Sequence, residues 1–371
     1  MAEPLVHEAP LARIRAEIRA QRPYVVPTEA DVPAKLDQNE SPWDAPEDVK
    51  RAAAEYLLAS HWNRYPADRP HRLQRALAAS LGIEVGAVLV GHGSNELAYT
   101  LGLAFLERGT PVVLPHPMFA LYESVARMNA ARIVPVEPGP RFGHAAADVL
   151  AAAQASDAPL TIVTTPNNPT GQVIPYDDLE TLAAGVPGFL VVDEAYFEFI
   201  EGPTAVDLVA RFPNVIAMRT FSKAMGLAGL RVGYMVAHPD VITELEKARL
   251  PFVVDATSEA AALAMLARPD LVAERVAILK GECDRLQAAM HARGDVEVIE
   301  GAANFFLLRT PLAPSALVAR LAERGVRVRN MVPYRALGPD TPGVGWVRVS
   351  VGAPDENRAF EAALDEVLLP G

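Results

Sequence analysis

The chain has 371 residues, half of them apolar, which suits roughly two domains around a large core. Its 34 lysines and arginines against 46 aspartates and glutamates give a net charge of −12, a bulk field that repels nucleic acid and anionic membranes. A single cysteine, Cys283, excludes an internal disulfide, and the eight histidines show no metal-ligand spacing such as H-E-x-x-H.

No apolar run reaches transmembrane length and residues 1–20 lack a signal-peptide core, so a soluble cytoplasmic protein is expected. An anionic small substrate would need a local cluster of arginines. Residues 9–20 predict a short amphipathic helix with Leu11, Ile14 and Ile18 on one face, an arm that docks elsewhere. P-Y-V-V-P and K-L-D-Q-N-E-S-P-W follow, carrying Tyr24, Asn39 and Glu40. By composition this is a linker, or one wall of a pocket. Asp44, with Glu47 three residues later, predicts a helix N-cap. Tyr65 precedes a proline in H-W-N-R-Y-P and is held in a loop. H-R-L-Q-R-A-L-A-A-S-L-G predicts a helix closed by Gly82.

A-V-L-V-G-H-G-S-N-E-L-A-Y reads as strand, glycine turn and helix. Gly91, Gly93, Ser94 and Asn95 put free N–H groups and a hydroxyl at a helix start, which suits a phosphate or is only a tight connection. Phe119 and Tyr122 follow the next strand, as core or as a platform for a planar ring. L-T-I-V-T-T-P-N-N-P-T-G holds Asn168 before a proline at a strand end. F-L-V-V-D-E-A-Y ends a buried run on Asp193, with Tyr196 three positions on. That carboxylate is costly to bury unless a cation meets it. Glu194 points to the opposite side and reads as structural.

N-V-I-A-M-R then leads into T-F-S-K-A-M-G-L-A-G-L-R-V-G, residues 220–233, which places Lys223 just past a strand end. Thr220 and Ser222 flank it with hydroxyls, Gly226 and Gly229 let backbone approach, and Arg231 adds a cation. Such a set can hold a small phosphate while the desolvated amine keeps a neutral lone pair near pH 7 and forms a Schiff base. On its own it also reads as a surface lysine beside a structural arginine.

Strands and helices alternate from about residue 84 to 250, so an α/β layout with a mostly parallel sheet is predicted, with ligands beyond the carboxyl ends of its strands. After Pro251 come alanine-rich helices over 256–267 and 270–293, then short strands and a closing helix from 354, an α+β unit. The expected organisation is an arm (1–45) joining the small domain, a large domain (46–250) and a small C-terminal domain (251–371).

S-N-E-L, P-N-N-P-T-G, V-V-D-E-A-Y and T-F-S-K-A-M-G-L-A-G-L-R-V-G, in that order, resemble fold type I pyridoxal-phosphate aminotransferases. Q-N-E-S-P, R-Y-P at 64–66 and the late R-V-S-V-G narrow the resemblance to the histidinol-phosphate aminotransferases, over nearly the whole chain. The resemblance implies a large domain with a seven-stranded type of sheet and pyridoxal 5'-phosphate as cofactor. It implies Lys223 as Schiff-base lysine and proton carrier, Asp193 paired to the pyridinium nitrogen, and Asn168 and Tyr196 on the ring oxygen. Ser94, Asn95, Thr220, Ser222 and Arg231 would hold the phosphate. Phe119 stands where the subfamily usually has a ring-stacking tyrosine. Tyr65 resembles the residue that crosses a homodimer interface to the partner's cofactor.

Arg348 matches the arginine that holds a substrate carboxylate, Arg329 a second one for phosphate, and Tyr24 and Asn39 line the pocket. Arg327 alternates with Arg329 on one face, and the motif match selects Arg329. The implied reaction is transamination of L-histidinol phosphate with 2-oxoglutarate. Alternatives are another amine such as an aromatic amino acid, decarboxylation of a phosphorylated amino acid, or a non-enzymatic ligand sensor. The sensor lacks support, since no basic or helix-turn-helix segment precedes residue 40. Loop 332–345 is longer than the pattern between these arginines.

Overall fold

The computed structural model describes residues 8–21, 23 and 32–368. Twelve strands are used below: β1 (Ala34–Leu36), β2 (Val88–Gly91), β3 (Pro111–Pro115), β4 (Arg132–Val136), β5 (Leu160–Thr164), β6 (Phe189–Asp193), β7 (Val215–Thr220), β8 (Gly233–Val236), β9 (Glu297–Ala303), β10 (Phe305–Arg309), β11 (Val326–Asn330) and β12 (Val347–Ser350).

β2 to β8 form one sheet in the order β2-β8-β7-β6-β5-β3-β4. β3, β4, β5, β6 and β7 run parallel, whereas β8 is antiparallel to both β7 and β2. Every residue of β5 and β7 is buried, as expected when helices cover both faces. The apolar runs L-T-I-V-T and V-I-A-M-R-T are continuous for that reason.

The second sheet has the order β1-β11-β12-β10-β9. β1, from the N-terminal segment, pairs parallel with β11, and the other pairs are antiparallel. The helix Pro269–Arg293 packs on β9 and on the turn Phe197–Phe199 that follows β6. Cys283 on its inner face is buried, and burial pushes the thiol up to about 12, so it is inert packing.

Gly82 closes the helix His71–Leu81 in the left-handed region at φ 67°, as its sequence predicts. Asp44 does not cap the helix that follows it. That helix, Glu47–Ala59, starts behind Pro46, whose ring fixes an entry geometry two residues later, and Asp44 instead accepts from the Ala45 N–H at 2.7 Å and pairs with Lys50. The arm is not one amphipathic helix either. It is two four-residue helices, Glu8–Leu11 and Ala16–Arg19, separated by an extended Arg15. Leu11, Ile14 and Ile18 stay exposed, so no apolar face is buried to sustain a longer helix. Polar contacts attach the arm: Arg15 donates to the Met128 carbonyl and Glu17 pairs with Arg108.

Candidate active site

The carboxyl ends of β5, β6 and β7 converge with the segment after β1 and with β12. Lys223 lies in the turn after β7, where Gly226 takes φ 68° and donates its N–H to the Lys223 carbonyl. The side chain is half-buried, and Nζ donates to the Gln38 carbonyl at 2.9 Å. Burial lowers the amine to about 7, helped by the charges of Arg348, Arg231 and Lys35 and opposed by Glu40. The amine is therefore about half neutral at pH 7.

Asp193 ends β6 and is 6% exposed. Its Oδ2 accepts from the Tyr122 hydroxyl at 2.6 Å and its Oδ1 from the Ala195 N–H at 3.0 Å. Burial raises its pKa, while both hydrogen bonds and Lys223 oppose that rise. A carboxylate has room for about four hydrogen bonds, so acceptor capacity remains. Glu194 faces away and takes both Nε and Nη2 of Arg219 at 3.0 Å, together with the Ala205 N–H at 2.7 Å. It is a structural pair, as its alternation along the strand implies.

Tyr196 is buried, and its hydroxyl accepts from Asn39 Nδ2 at 2.9 Å and from Asn168 Nδ2 at 3.5 Å. Burial pushes this phenol up to about 12, so it stays protonated. Asn39, at φ 54°, is locked by Ser350 through its N–H and its Oδ1. Arg348 comes from β12, donates to Asn168 Oδ1 at 2.6 Å and to the Asp37 carbonyl at 2.7 Å, and keeps a covered Nε without a hydrogen-bond partner. Arg329 stands directly across from it in the β11–β12 register.

An anion cradle lies beside Lys223. The helix Gly93–Phe105 begins at Gly93, with φ 74°, and a Cβ there would come within 2.6 Å of Arg231 Nη2. A Cβ at Gly233 would reach 2.4 Å from the Ser94 nitrogen. Both glycines are therefore needed for the close approach of the Arg231 loop to the helix start. Arg231 Nη1 reaches Ser222 Oγ at 3.3 Å, and the Ser222 N–H donates to Thr220 Oγ1 at 3.1 Å. Helix dipole, free N–H groups and guanidinium together suit a phosphate.

Phe119 is half-buried and meets Tyr122 edge-on at 6.3 Å. Asn95 is exposed at the helix start. Tyr65 is 83% exposed and stacks on Phe252 at 4.8 Å. Tyr24 lies outside the described residues.

A model of aminotransferases of class I and II matches residues 33–364. The chain belongs to that family. Among aminotransferases, it is 35% identical over 345 residues to the histidinol-phosphate aminotransferase of Chlorobium luteolum, covering 93% of this chain and 95% of the relative. Among solved structures, it resembles the histidinol-phosphate aminotransferase of Sinorhizobium meliloti in complex with pyridoxal-5'-phosphate. The TM-score is 0.86 and the identity 27%, over 96% of this chain and 97% of that one. The L-threonine-O-3-phosphate decarboxylase of Porphyromonas gingivalis shares the fold, with TM-score 0.77 and 24% identity over 91% of this chain and all of that one.

Two parts of the aminotransferase site have no motif of their own. Tyr122 looks like an ordinary helical core residue, and only its three-residue spacing from Phe119 hints that it reaches the sheet. The Gln38 and Asp37 carbonyls act through backbone, which residue identity does not encode. Among the described residues no group of His, Cys, Asp and Glu could hold a metal ion, and no helix is long and apolar enough to cross a membrane.

Proposed function

We propose that this aminotransferase moves the amino group of L-histidinol phosphate to 2-oxoglutarate, with pyridoxal 5'-phosphate as its cofactor. The observation that carries the cofactor assignment is the depressed amine of Lys223, set between a buried carboxylate and an anion cradle. The residues fit the group. Arg231, Ser222, Thr220, Ser94 and Asn95 would take its phosphate, Asp193 its ring nitrogen, Asn168 and Tyr196 its ring oxygen, and Phe119 one ring face.

When bound, the cofactor draws electrons away from the substrate carbon that loses its proton. Lys223 would take that proton at Nζ and give it back two atoms away, a 1,3-shift; an amine near pKa 7 is suited to both directions. Asp193 stays ionised only if a positive partner offsets its burial, which a protonated ring nitrogen does. Tyr196 remains a hydroxyl donor at neutral pH. Arg348, placed on β12 and oriented by Asn168 and the Asp37 carbonyl, binds the carboxylate of 2-oxoglutarate or glutamate, or the phosphate of the amine substrate.

Arg329, its register partner, adds a second cation for the phosphate. The match to relatives named histidinol-phosphate aminotransferase supports this substrate over an aromatic amino acid. Tyr24 and Asn39 complete the substrate side. Two domains, 46–250 and 251–371, with an arm of residues 1–45 belonging to the second, are the organisation we adopt; the β1–β11 pairing supports it. Tyr65, exposed on this chain, reaches the cofactor phosphate of a partner subunit in a cytoplasmic homodimer.

Half-reactions with histidinol phosphate, phenylalanine and phosphothreonine test the assignment. Fastest amino transfer from histidinol phosphate is expected. Carbon dioxide release from phosphothreonine, or preference for phenylalanine, overturns it.

A further inference from the structure

On the far side of Glu194 from Lys223's site, a groove of about 750 Å³ runs between residues 197–204 and the first half of the helix Pro269–Arg293. Its walls are apolar: Phe197, Ile200, Met225, Met265, Val272 and Val276. Its volume lies in the range of small-molecule sites, about 300–1,000 Å³. None of these residues has a part in the proposed transamination.

The groove carries one unmet polar demand. Glu198 lines it, and its Oε2 is covered and has no hydrogen-bond partner among the described residues. The charges around it are otherwise matched. Glu194 is held twice by Arg219, whose guanidinium lies 3.5 Å over the Phe197 ring, and Glu201 meets Lys280 at 3.2 Å at the rim. The three carboxyls, Glu194, Glu198 and Glu201, thus face two cations, and Glu198 is the one whose Oε2 is left without a partner. A terminal carboxyl torsion is soft, so a small rotation turns Oε2 into the groove.

We propose that this groove binds a small organic cation with an apolar body, held by a two-pronged hydrogen bond to the Glu198 carboxylate. An amidinium or guanidinium group matches the carboxylate geometry, and its hydrocarbon part covers the methionines and valines of the wall. Burial pushes the Glu198 carboxyl up to about 8, opposed first by a hydrogen bond from its own backbone and then by Arg219, with Glu194 adding to the rise. The group is therefore mostly protonated at pH 7, and an entering cation releases its proton. Binding strengthens as pH rises towards 8 and levels off above it, weakening about tenfold for each pH unit below.

The test is calorimetry on the holoenzyme with benzamidine, whose amidinium does not compete as an amine substrate, and with benzamide as its neutral match. Benzamidine is expected to bind once per chain, at least tenfold more tightly than benzamide, with proton release at pH 7. Glu198→Gln removes the charge without changing shape and should weaken benzamidine at least tenfold. Ala273→Trp, which fills the groove from an exposed helix position and leaves Glu198 intact, should also abolish binding. Equal binding of the two probes, or benzamidine binding unchanged in either variant, overturns the proposal. The readout is heat, so failure here leaves the transamination reading untouched, and failure of that reading leaves this site untouched.

Discussion

Tyr122 and Asp193 share a hydrogen bond of 2.6 Å, from a helix on one side of the sheet to the end of the β6 strand. Both residues are nearly covered, so the bond fixes the carboxylate where water competes little. A hydrogen bond to a buried charged group contributes about 1.5–3 kcal/mol. Tyr122→Phe should therefore raise the Asp193 pKa and weaken cofactor affinity about tenfold, one factor of ten being about 1.4 kcal/mol. Fluorescence titration of the apoenzyme with pyridoxal phosphate measures it. Unchanged affinity would show that the Ala195 N–H alone holds the carboxylate.

Lys223→Ala should lower kcat by about 10²–10⁴-fold or more, the range over which a positioned acid–base group acts. Steady-state turnover and the visible absorption of the bound cofactor check it together. Wild-type turnover after the substitution would remove Nζ from the reaction.

The same amine makes apoenzyme stability depend on pH. Its folded pKa, about 7, is depressed below the unfolded value near 10.5. Between those values the unfolded chain binds the extra proton, so the penalty of burying Lys223 is fully present below about pH 7 and is relieved as pH rises towards 10.5. Urea midpoints of the wild type and Lys223→Met, compared at pH 6 and pH 9, should converge at the higher pH. A gap that stays constant would mean that the amine titrates normally.

Arg329→Ala should raise KM for the phosphorylated amine about tenfold or more and leave KM for 2-oxoglutarate nearly unchanged, because a residue that binds only one substrate affects only that half-reaction. Arg348→Ala should raise both. If Arg329→Ala left both KM values alone, Arg327, its neighbour on the same strand, would be the ligand to examine.

Arg219→Ala should destabilise the fold by about 3–5 kcal/mol, because it strands Glu194, whose pKa burial already raises. The pair Arg219→Met with Glu194→Gln should cost much less, since no uncompensated charge remains. Thermal unfolding separates the two, and equal losses would mean that the guanidinium acts through Phe197 packing instead.

The sequence revealed much of this site because its chemistry sits at strand ends, where a buried apolar run stops on a polar residue. Asp193, Asn168 and Lys223 are visible that way, and Gly93 at its helix start; Gly233, crowded by the same helix start, carries no such signal, and Gly229, where the sequence suggests close approach, has open space around it. β8 was not legible as antiparallel, since G-Y-M-V is as buried as its parallel neighbours and burial hides direction. Asp44 misled because cap chemistry is local, whereas Pro46 decides where the backbone can turn. Tyr122 was obscured for the opposite reason: its partner is 71 residues away and no short pattern joins them.

Lys223's acceptor comes from residue 38, Arg348 anchors on the Asp37 carbonyl, and β1 pairs with residues 326–328. A nascent chain therefore cannot finish this pocket when its large sheet is complete, because β12 with Arg348, and β11 on which the first-made β1 pairs, are still to come. A ribosome that has delivered residue 300 has produced the amine but not the surroundings that depress it, so proton-moving competence should arrive only with the final strand.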